Sequence, residues 1–199
     1  MRHLTTASLV AIALSLGACG GTADDRADNA MMADNMAVEN DLMAVDNGMA
    51  IDNAMAMPAS AQEMVNLAAA SDMYEIESSQ LAGEKAQRAE VREFAQMLVT
   101  DHQKSTADLK TAAGAADPPL TVTPAMNAEQ QANMEALRGA ADADFDRIYL
   151  AQQVPAHETA LSMLQSYAAG GDVDGLKTWA ANTATVVSGH LDRARELSR

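Results

Sequence analysis

Residues 91–109 read VREFAQMLVTDHQKSTADL, and their pattern decides the fold class. Apolar or small side chains recur three or four positions apart, a spacing that places them along one face of an α-helix. The row consists of Val91, Phe94, Leu98, Ser105 and Leu109. His102 lies within the same row. The stretch therefore predicts a long amphipathic helix that carries a histidine in its buried face.

The same periodicity continues on both sides of this stretch. The predicted helices span about residues 62–85, 89–113, 128–138, 142–169 and 172–197. Four are long, and short links join the first two and the last two. This pattern predicts an all-α fold, a four-helix, ferritin-like bundle over residues 61–199 with an additional short helix. The longer middle link allows either up-down order or a crossover, and Pro155 predicts a kink in the helix that carries it.

Composition and charge limit the classes of function. Apolar residues make up 48% of the chain but aromatic residues only 3%, so the core must be built mainly from Ala, Leu, Val and Met. The formal net charge of −15 argues against a nucleic-acid-binding protein, because phosphate binding needs a basic surface. It also disfavours broad contact with anionic lipid headgroups. We expect no nucleic-acid partner, and the sequence identifies no protein partner.

The N-terminus has the features of an export signal. A basic start at residues 1–3 is followed by a short apolar run and by LGAC at residues 16–19. LGAC resembles the lipobox of bacterial lipoproteins, which implies a signal peptide at 1–18 and lipid attachment to Cys19. An ordinary signal peptide with a chance cysteine is the alternative. Gly20 after the cysteine resembles lipoproteins sorted to the outer membrane, so we expect an envelope lipoprotein that is anchored there and faces the periplasm.

Residues 19–60 predict an acidic, disordered tether rich in Met and Asn. Acid-Asn pairs recur about every six residues, a period that fits neither a helix nor a heptad, and aromatic residues are absent. Two functions are compatible with this composition. The segment is a solvated spacer, or its methionine thioethers bind copper or absorb oxidant.

Beyond residue 18 the chain has three histidines, and each lies in the apolar row of a different predicted helix. At 1.5 Å rise per residue, His102, His157, His190 and Glu77 all lie near mid-height of their helices. We therefore predict a metal site for Zn, Cu, Ni or Fe with these four ligands.

The predicted supporting partners are Glu75, Asp146 and Tyr149, and the acids near the histidines are Asp101, Glu158 and Asp192. The alternative is a structural network in which the histidines bond core polar groups and fix helix register.

Several of these stretches resemble the bacterial family called domain of unknown function 4142. They are MYEIE at 73–77, LA at 81–82, VREFAQMLV at 91–99 with Asp101-His102, FDRIY at 145–149 with His157, and His190-Leu191. The resemblance covers about residues 61–197. It implies an exported ferritin-like helical bundle, and it implies no activity. Pro155 departs from the family pattern.

The sequence predicts no catalytic residue. Valine stands three residues before each of the three histidines, so the Glu-x-x-His motif of di-iron bundles is absent and ferroxidase chemistry is not expected. The leading interpretation is a non-enzymatic outer-membrane lipoprotein that binds a transition metal or a small ligand. An envelope stress or interaction protein with a purely structural polar core is the alternative, and a metal-dependent enzyme ranks last.

Overall fold

The computed structural model describes residues 58–199, and every regular element in this part of the chain is an α-helix. The helices are α1 (Ala61–Lys85), α2 (Ala89–Gly114), α3 (Ala128–Gly139), α4 (Asp142–Gly170) and α5 (Asp174–Leu197). The all-helical prediction with a short additional helix is confirmed. The predicted signal peptide, Cys19 and nearly all of the predicted tether lie outside the described residues. Among the helices of the described part, none is long and apolar enough to cross a bilayer.

Side-chain caps fix the start of two helices. Ser60 precedes α1, and its hydroxyl accepts a hydrogen bond from the amide of Glu63 at 3.1 Å. Asn127 precedes α3. Its carboxamide oxygen accepts a hydrogen bond from the Gln130 amide, and the Gln130 side-chain oxygen accepts one from the Asn127 amide. Each cap satisfies amide groups that the first turn of a helix leaves without a partner.

The last helix begins two residues later than predicted. Asp172 accepts a hydrogen bond from the Tyr167 hydroxyl at 2.9 Å, and Val173 remains extended before α5 starts at Asp174. Gly171 allows this close turn, because a Cβ there would lie 2.6 Å from the Tyr167 ring. Asp172 and Val173 therefore belong to the turn, and α5 begins after them.

The four long helices surround one core in the cyclic order α1, α2, α5, α4. α1 packs on α2, α4 packs on α5, and the two pairs meet through α2 with α5 and α1 with α4. α3 packs on α1 and α4. The core has two apolar clusters, one including Met64, Leu109 and Leu164, the other including Phe94 and Phe145.

A polar layer separates the two apolar clusters. On every long helix, residues of one cluster come first, a buried polar residue follows, and residues of the other cluster come after it. These polar residues are Asp72 on α1, His102 on α2, His157 on α4 and His190 on α5. The interior thus contains a polar plane that crosses all four long helices.

The link between α2 and α4 runs along the length of the molecule. Leu120 and Val122 pack on the cluster at the C-terminal end of α2, whereas Met126, Met134 and Leu137 belong to the other cluster. α4 therefore starts at the end where α2 started, and each neighbouring pair of long helices is antiparallel. The chain therefore does not follow simple up-down order, because the link between α2 and α4 crosses from one apolar cluster to the other.

Pro155 lies inside α4 and is exposed. Because proline has no amide proton, the carbonyl of Ala151 loses its usual helical donor. Ala151 is also exposed, so solvent can hydrate that carbonyl. α4 is continuous from Asp142 to Gly170 and buries His157 two residues beyond the proline. The kink that Pro155 predicts stays a prediction.

Candidate metal centre

Three histidines from three helices meet in the polar layer. The ring centroids of His102 and His157 are 5.8 Å apart, and those of His190 lie 5.5 Å from each of the other two. One ring nitrogen of each histidine lies within 4.8 Å of the corresponding nitrogens of the other two. All three side chains are buried. The fold thus brings together three imidazoles that are 33 to 88 residues apart in sequence, counted from their numbers.

The other nitrogen of each ring is held by an oxygen acceptor. His102 Nδ1 lies 2.8 Å from Oδ1 of Asp72, and His190 Nε2 lies 2.9 Å from Oδ2 of Asp101. His157 Nδ1 lies 2.9 Å from the main-chain oxygen of Gln153. Because these oxygens can only accept, each of the three nitrogens carries the proton. The remaining nitrogen of each neutral ring therefore has a free lone pair.

The free lone pairs belong to His102 Nε2, His157 Nε2 and His190 Nδ1. All three atoms are buried, and none has a hydrogen-bond partner among residues 58–199. A metal ion would supply the missing partner, and the outward hydrogen bonds would keep the rings in the ligating tautomer. Ligand bonds of about 2 Å place tetrahedral nitrogens roughly 3.4 Å apart, so binding would draw the rings together by an ångström or so.

Burial and mutual repulsion keep two of the rings neutral. Burial lowers the pKa of His157 to about 3, with further lowering by the nearby His102 and His190. Burial is also the main cause that lowers the pKa of His190. His102 differs, because the Asp72 carboxylate and nearby acids outweigh burial and raise its pKa. His102 is therefore the ring that takes up a proton first when no cation is bound.

Glu75 adds a buried carboxylate beside the histidines. Its Oε1 lies 3.9 Å from His157 Nδ1, and neither carboxylate oxygen has a hydrogen-bond partner within the described part of the chain. Burial raises the pKa of Glu75 to about 7, against the opposing charge of His102. A cation held by the three rings would favour the ionised carboxylate, whose charge offsets that of the ion.

Glu77, predicted as the fourth ligand, is not part of this cluster. Its side chain is partly exposed and lies 3.5 Å from Arg138 on α3. Glu77 lies on a different face of α1 from the residues that border the histidines. Two residues correspond to about 200° around a helix, so Glu77 points away from the side that buries Glu75.

Two of the predicted supporting residues, Asp146 and Tyr149, bond groups other than the histidines. Asp146 accepts hydrogen bonds from the amides of Gln87 and Arg88, both at 2.8 Å, and so fixes the turn between α1 and α2. Tyr149 is buried, but its hydroxyl bonds Ser79 at 2.8 Å and no histidine.

Of the three acids that lie near the histidines in sequence, only Asp101 contacts a histidine. Glu158 pairs with Arg195 at 2.7 Å, and Asp192 is exposed. Asp72 is not among the residues predicted from sequence, yet it bonds His102 and, through Oδ2, accepts a hydrogen bond from the Thr106 hydroxyl at 3.0 Å. Its spacing of three residues before Glu75 on the apolar side of α1 was the available signal.

Comparison with known proteins identifies the family. The model of the family described as domain of unknown function (DUF4142) matches residues 46–197, about three quarters of the chain. The chain belongs to this family. No curated protein matches it.

Solved structures of CopM share the fold of this DUF4142 domain. CopM in the Cu(II)-bound form aligns with a TM-score of 0.61 at 17% identity, covering 71% of this chain and 97% of that one. The Cu(I)-bound form aligns with a TM-score of 0.57 at 18% identity, covering 69% and 94%. The Ag-bound form gives 0.56 at 19% identity, covering 68% and 92%.

Proposed function

We propose that this domain binds one transition-metal ion, preferentially copper, through His102, His157 and His190. The main support is that the three histidines lie together and that each has one buried ring nitrogen without a hydrogen-bond partner. The second nitrogen of each ring bonds an oxygen acceptor. An unpaired buried polar atom is costly, and three in one place are satisfied together by a single cation.

Two arguments favour copper over other metals. Imidazole ligands suit Cu, Zn, Ni and Fe, and copper binds most strongly of the divalent ions to a given nitrogen site. The structural neighbours are described as Cu(I)-, Cu(II)- and Ag-bound, and a shared fold makes the same ion the first choice here. The thioethers of the methionine-rich tether would suit Cu(I) as a second, separate place of binding.

The proposed location rests on the N-terminal sequence, and the proposed fold type rests on the path of the middle link. The chain is an envelope lipoprotein held in the outer membrane through Cys19, facing the periplasm, with a non-enzymatic role in holding the ion. The support is the tripartite signal at 1–19 and Gly20. We assign the domain to the ferritin-like bundles, because its long middle link crosses from one apolar cluster to the other.

The competing function is an envelope stress or interaction protein whose polar layer is purely structural. The observation in its favour is that the histidine-carboxylate bonds also join helices. Asp72 with His102 links α1 to α2, and His190 with Asp101 links α5 to α2. Such bonds would fix register without any ion.

Metal content and melting temperature of the purified full chain decide between these functions. Copper should remain bound after dialysis and should raise the melting temperature. At a free concentration of 100 times the Kd, binding adds about 2.7 kcal/mol to the unfolding free energy. Zn, Ni and Fe are measured in parallel. If no copper is retained after dialysis and excess copper does not change the melting temperature, only the structural function remains.

Single substitutions distinguish the histidine site from the tether. His102→Gln, His157→Gln and His190→Gln should each abolish the thermal shift and the nitrogen couplings in the Cu(II) electron paramagnetic resonance spectrum. Glu77→Gln is the matched control and should retain both. Copper bound only by methionine thioethers would be unaffected in all four variants, and that result would reject the histidine site.

A further inference from the structure

A narrow groove between α2 and α5 reaches the histidine cluster. It encloses about 110 Å³, and its lining includes both His102 and His190. These two side chains are buried, whereas Asp108, Asn182 and Val186 at the rim are exposed. The groove thus extends from solvent to two of the three rings.

Two other cavities of the described residues give less access to the histidines. A larger groove of about 720 Å³ along α1, α3 and α4 has none of the three histidines in its lining. A small cavity beside Asp72 and His102 holds about 10 Å³, roughly the space for one water molecule. Of these three cavities, the α2–α5 groove is the one that joins an exposed rim to two rings of the cluster.

We infer that the α2–α5 groove is the route by which the cation enters and leaves the three-histidine site. This inference rests on the proposed function. His157 does not line the groove and is the most deeply buried of the three, so the ion meets His102 and His190 first and His157 last.

The chemistry of the groove suits the passage of a cation. Asp101 stands between solvent and the cluster, because its side chain is 36% exposed while the His190 side chain that it bonds is 4% exposed. At the rim, Lys104 is paired with Asp108, so the positive charge nearest to the groove is neutralised. The remaining charge of the lining is the Asp101 carboxylate, which attracts cations. The volume accommodates an ion with several waters, because roughly 10–15 Å³ of such volume holds one water.

The chain contains its own reporter for this route. Trp179 is the single tryptophan of the sequence, and it lines the small cavity that also borders His102. Cu²⁺ held by the rings should quench its fluorescence. Mixing the full chain with Cu²⁺ in a stopped-flow instrument therefore gives the rate of arrival at the site itself.

Two substitutions narrow the groove without changing a proposed ligand. Val186→Phe and Asn182→Phe each place a ring at the exposed rim on α5. Thr185→Phe is the matched control, because Thr185 is exposed on the same helix but lines a shallow groove between α4 and α5. Phenylalanine leaves Trp179 as the sole reporter. Circular dichroism and the melting temperature verify the fold of each variant.

The expected result is that both rim variants slow Cu²⁺ uptake and chelator-driven release by at least fivefold, with the equilibrium Kd within a factor of two of the unsubstituted chain. Thr185→Phe should leave both rates unchanged. Unchanged rates in Val186→Phe and Asn182→Phe, or equal slowing by Thr185→Phe, would overturn the route while leaving the metal site in place. Absence of quenching and of bound copper in the unsubstituted chain would overturn both the route and the proposed function.

Discussion

Asp72 on α1 holds Nδ1 of His102 on α2 at 2.8 Å, and this bond leaves the buried Nε2 of the same ring as the nitrogen that is free to bind an ion. The carboxylate lies 30 residues before the ring in sequence and bonds it across a helix boundary. Thr106 donates to the second oxygen of Asp72, so the carboxylate is itself held in place. The ligating direction of His102 is therefore set by a residue that would not touch the ion.

Asp72→Asn should lower copper affinity tenfold to a hundredfold, as loss of a partner behind a ligating imidazole typically does. The neutral amide accepts a weaker bond from Nδ1 and gives no charge to offset the cation. Competition with a chromophoric copper chelator measures the change. Glu93→Gln, at an exposed acid on α2 that does not line the groove, is the control and should change affinity less than twofold. Equal affinities of the Asp72 variant and the unsubstituted chain would show that Asp72 does not orient the ring.

Glu75→Gln should stabilise the metal-free protein at pH 8 and have little effect at pH 4. Burial raises the pKa of Glu75 from 4.5 to about 7, so the folded state holds a proton that the unfolded state releases in this interval. The unfolded state then binds fewer protons, and stability falls as pH rises from about 4.5 to about 7. Glutamine mimics the protonated acid and removes this loss, which is on the order of a few kcal/mol.

Urea unfolding of the metal-free chain at a series of pH values measures this effect. Glu77→Gln is a matched control, because it is the same substitution two residues along α1 at a partly exposed site. Its unfolding free energy should follow that of the unsubstituted chain at every pH. If Glu75→Gln gives a constant difference across pH 4–8, the carboxyl does not titrate in this interval.

Asp146→Ala should destabilise the domain by about 1 kcal/mol, with no effect on copper affinity. Asp146 accepts hydrogen bonds from the amides of Gln87 and Arg88 in the turn before α2, and loss of such hydrogen bonds costs about this amount. A lower melting temperature with an unchanged Kd is expected. A changed Kd would instead connect Asp146 to the metal site, as the sequence had predicted.

The sequence predicts the helices far better than it predicts the partners of the histidines. Helix bounds follow from periodicity and caps, which are local, and the mid-height positions of His102, His157 and His190 follow from counting residues. The choice of carboxylate does not follow from counting, because Glu75 and Glu77 differ by only two residues in height. Their difference is the helix face, which depends on how α1 rotates against α2 and α4.

Cross-helix bonds are harder still to predict from sequence. Asp72 reaches His102 only because α1 and α2 pack at a particular register, and Asp146 reaches the α1–α2 turn because α4 starts at the same end of the molecule. Asp101 was recognisable because it adjoins His102 in sequence. Even so, it bonds His190 on another helix instead of its neighbour.

Cys19→Ala should release the protein from membranes if the lipoprotein prediction is correct. Two or three acyl chains, each methylene contributing about 0.8 kcal/mol, hold a soluble domain firmly at a bilayer, and alanine cannot be acylated in this way. The variant should appear in the soluble envelope fraction, whereas the unsubstituted chain should need detergent. Cys19 is the only cysteine, so the substitution removes no disulfide. Asp146→Ala provides a control for altered folding, because it should stay in the membrane fraction. Continued, detergent-sensitive membrane association of the Cys19 variant would rule out attachment through this residue.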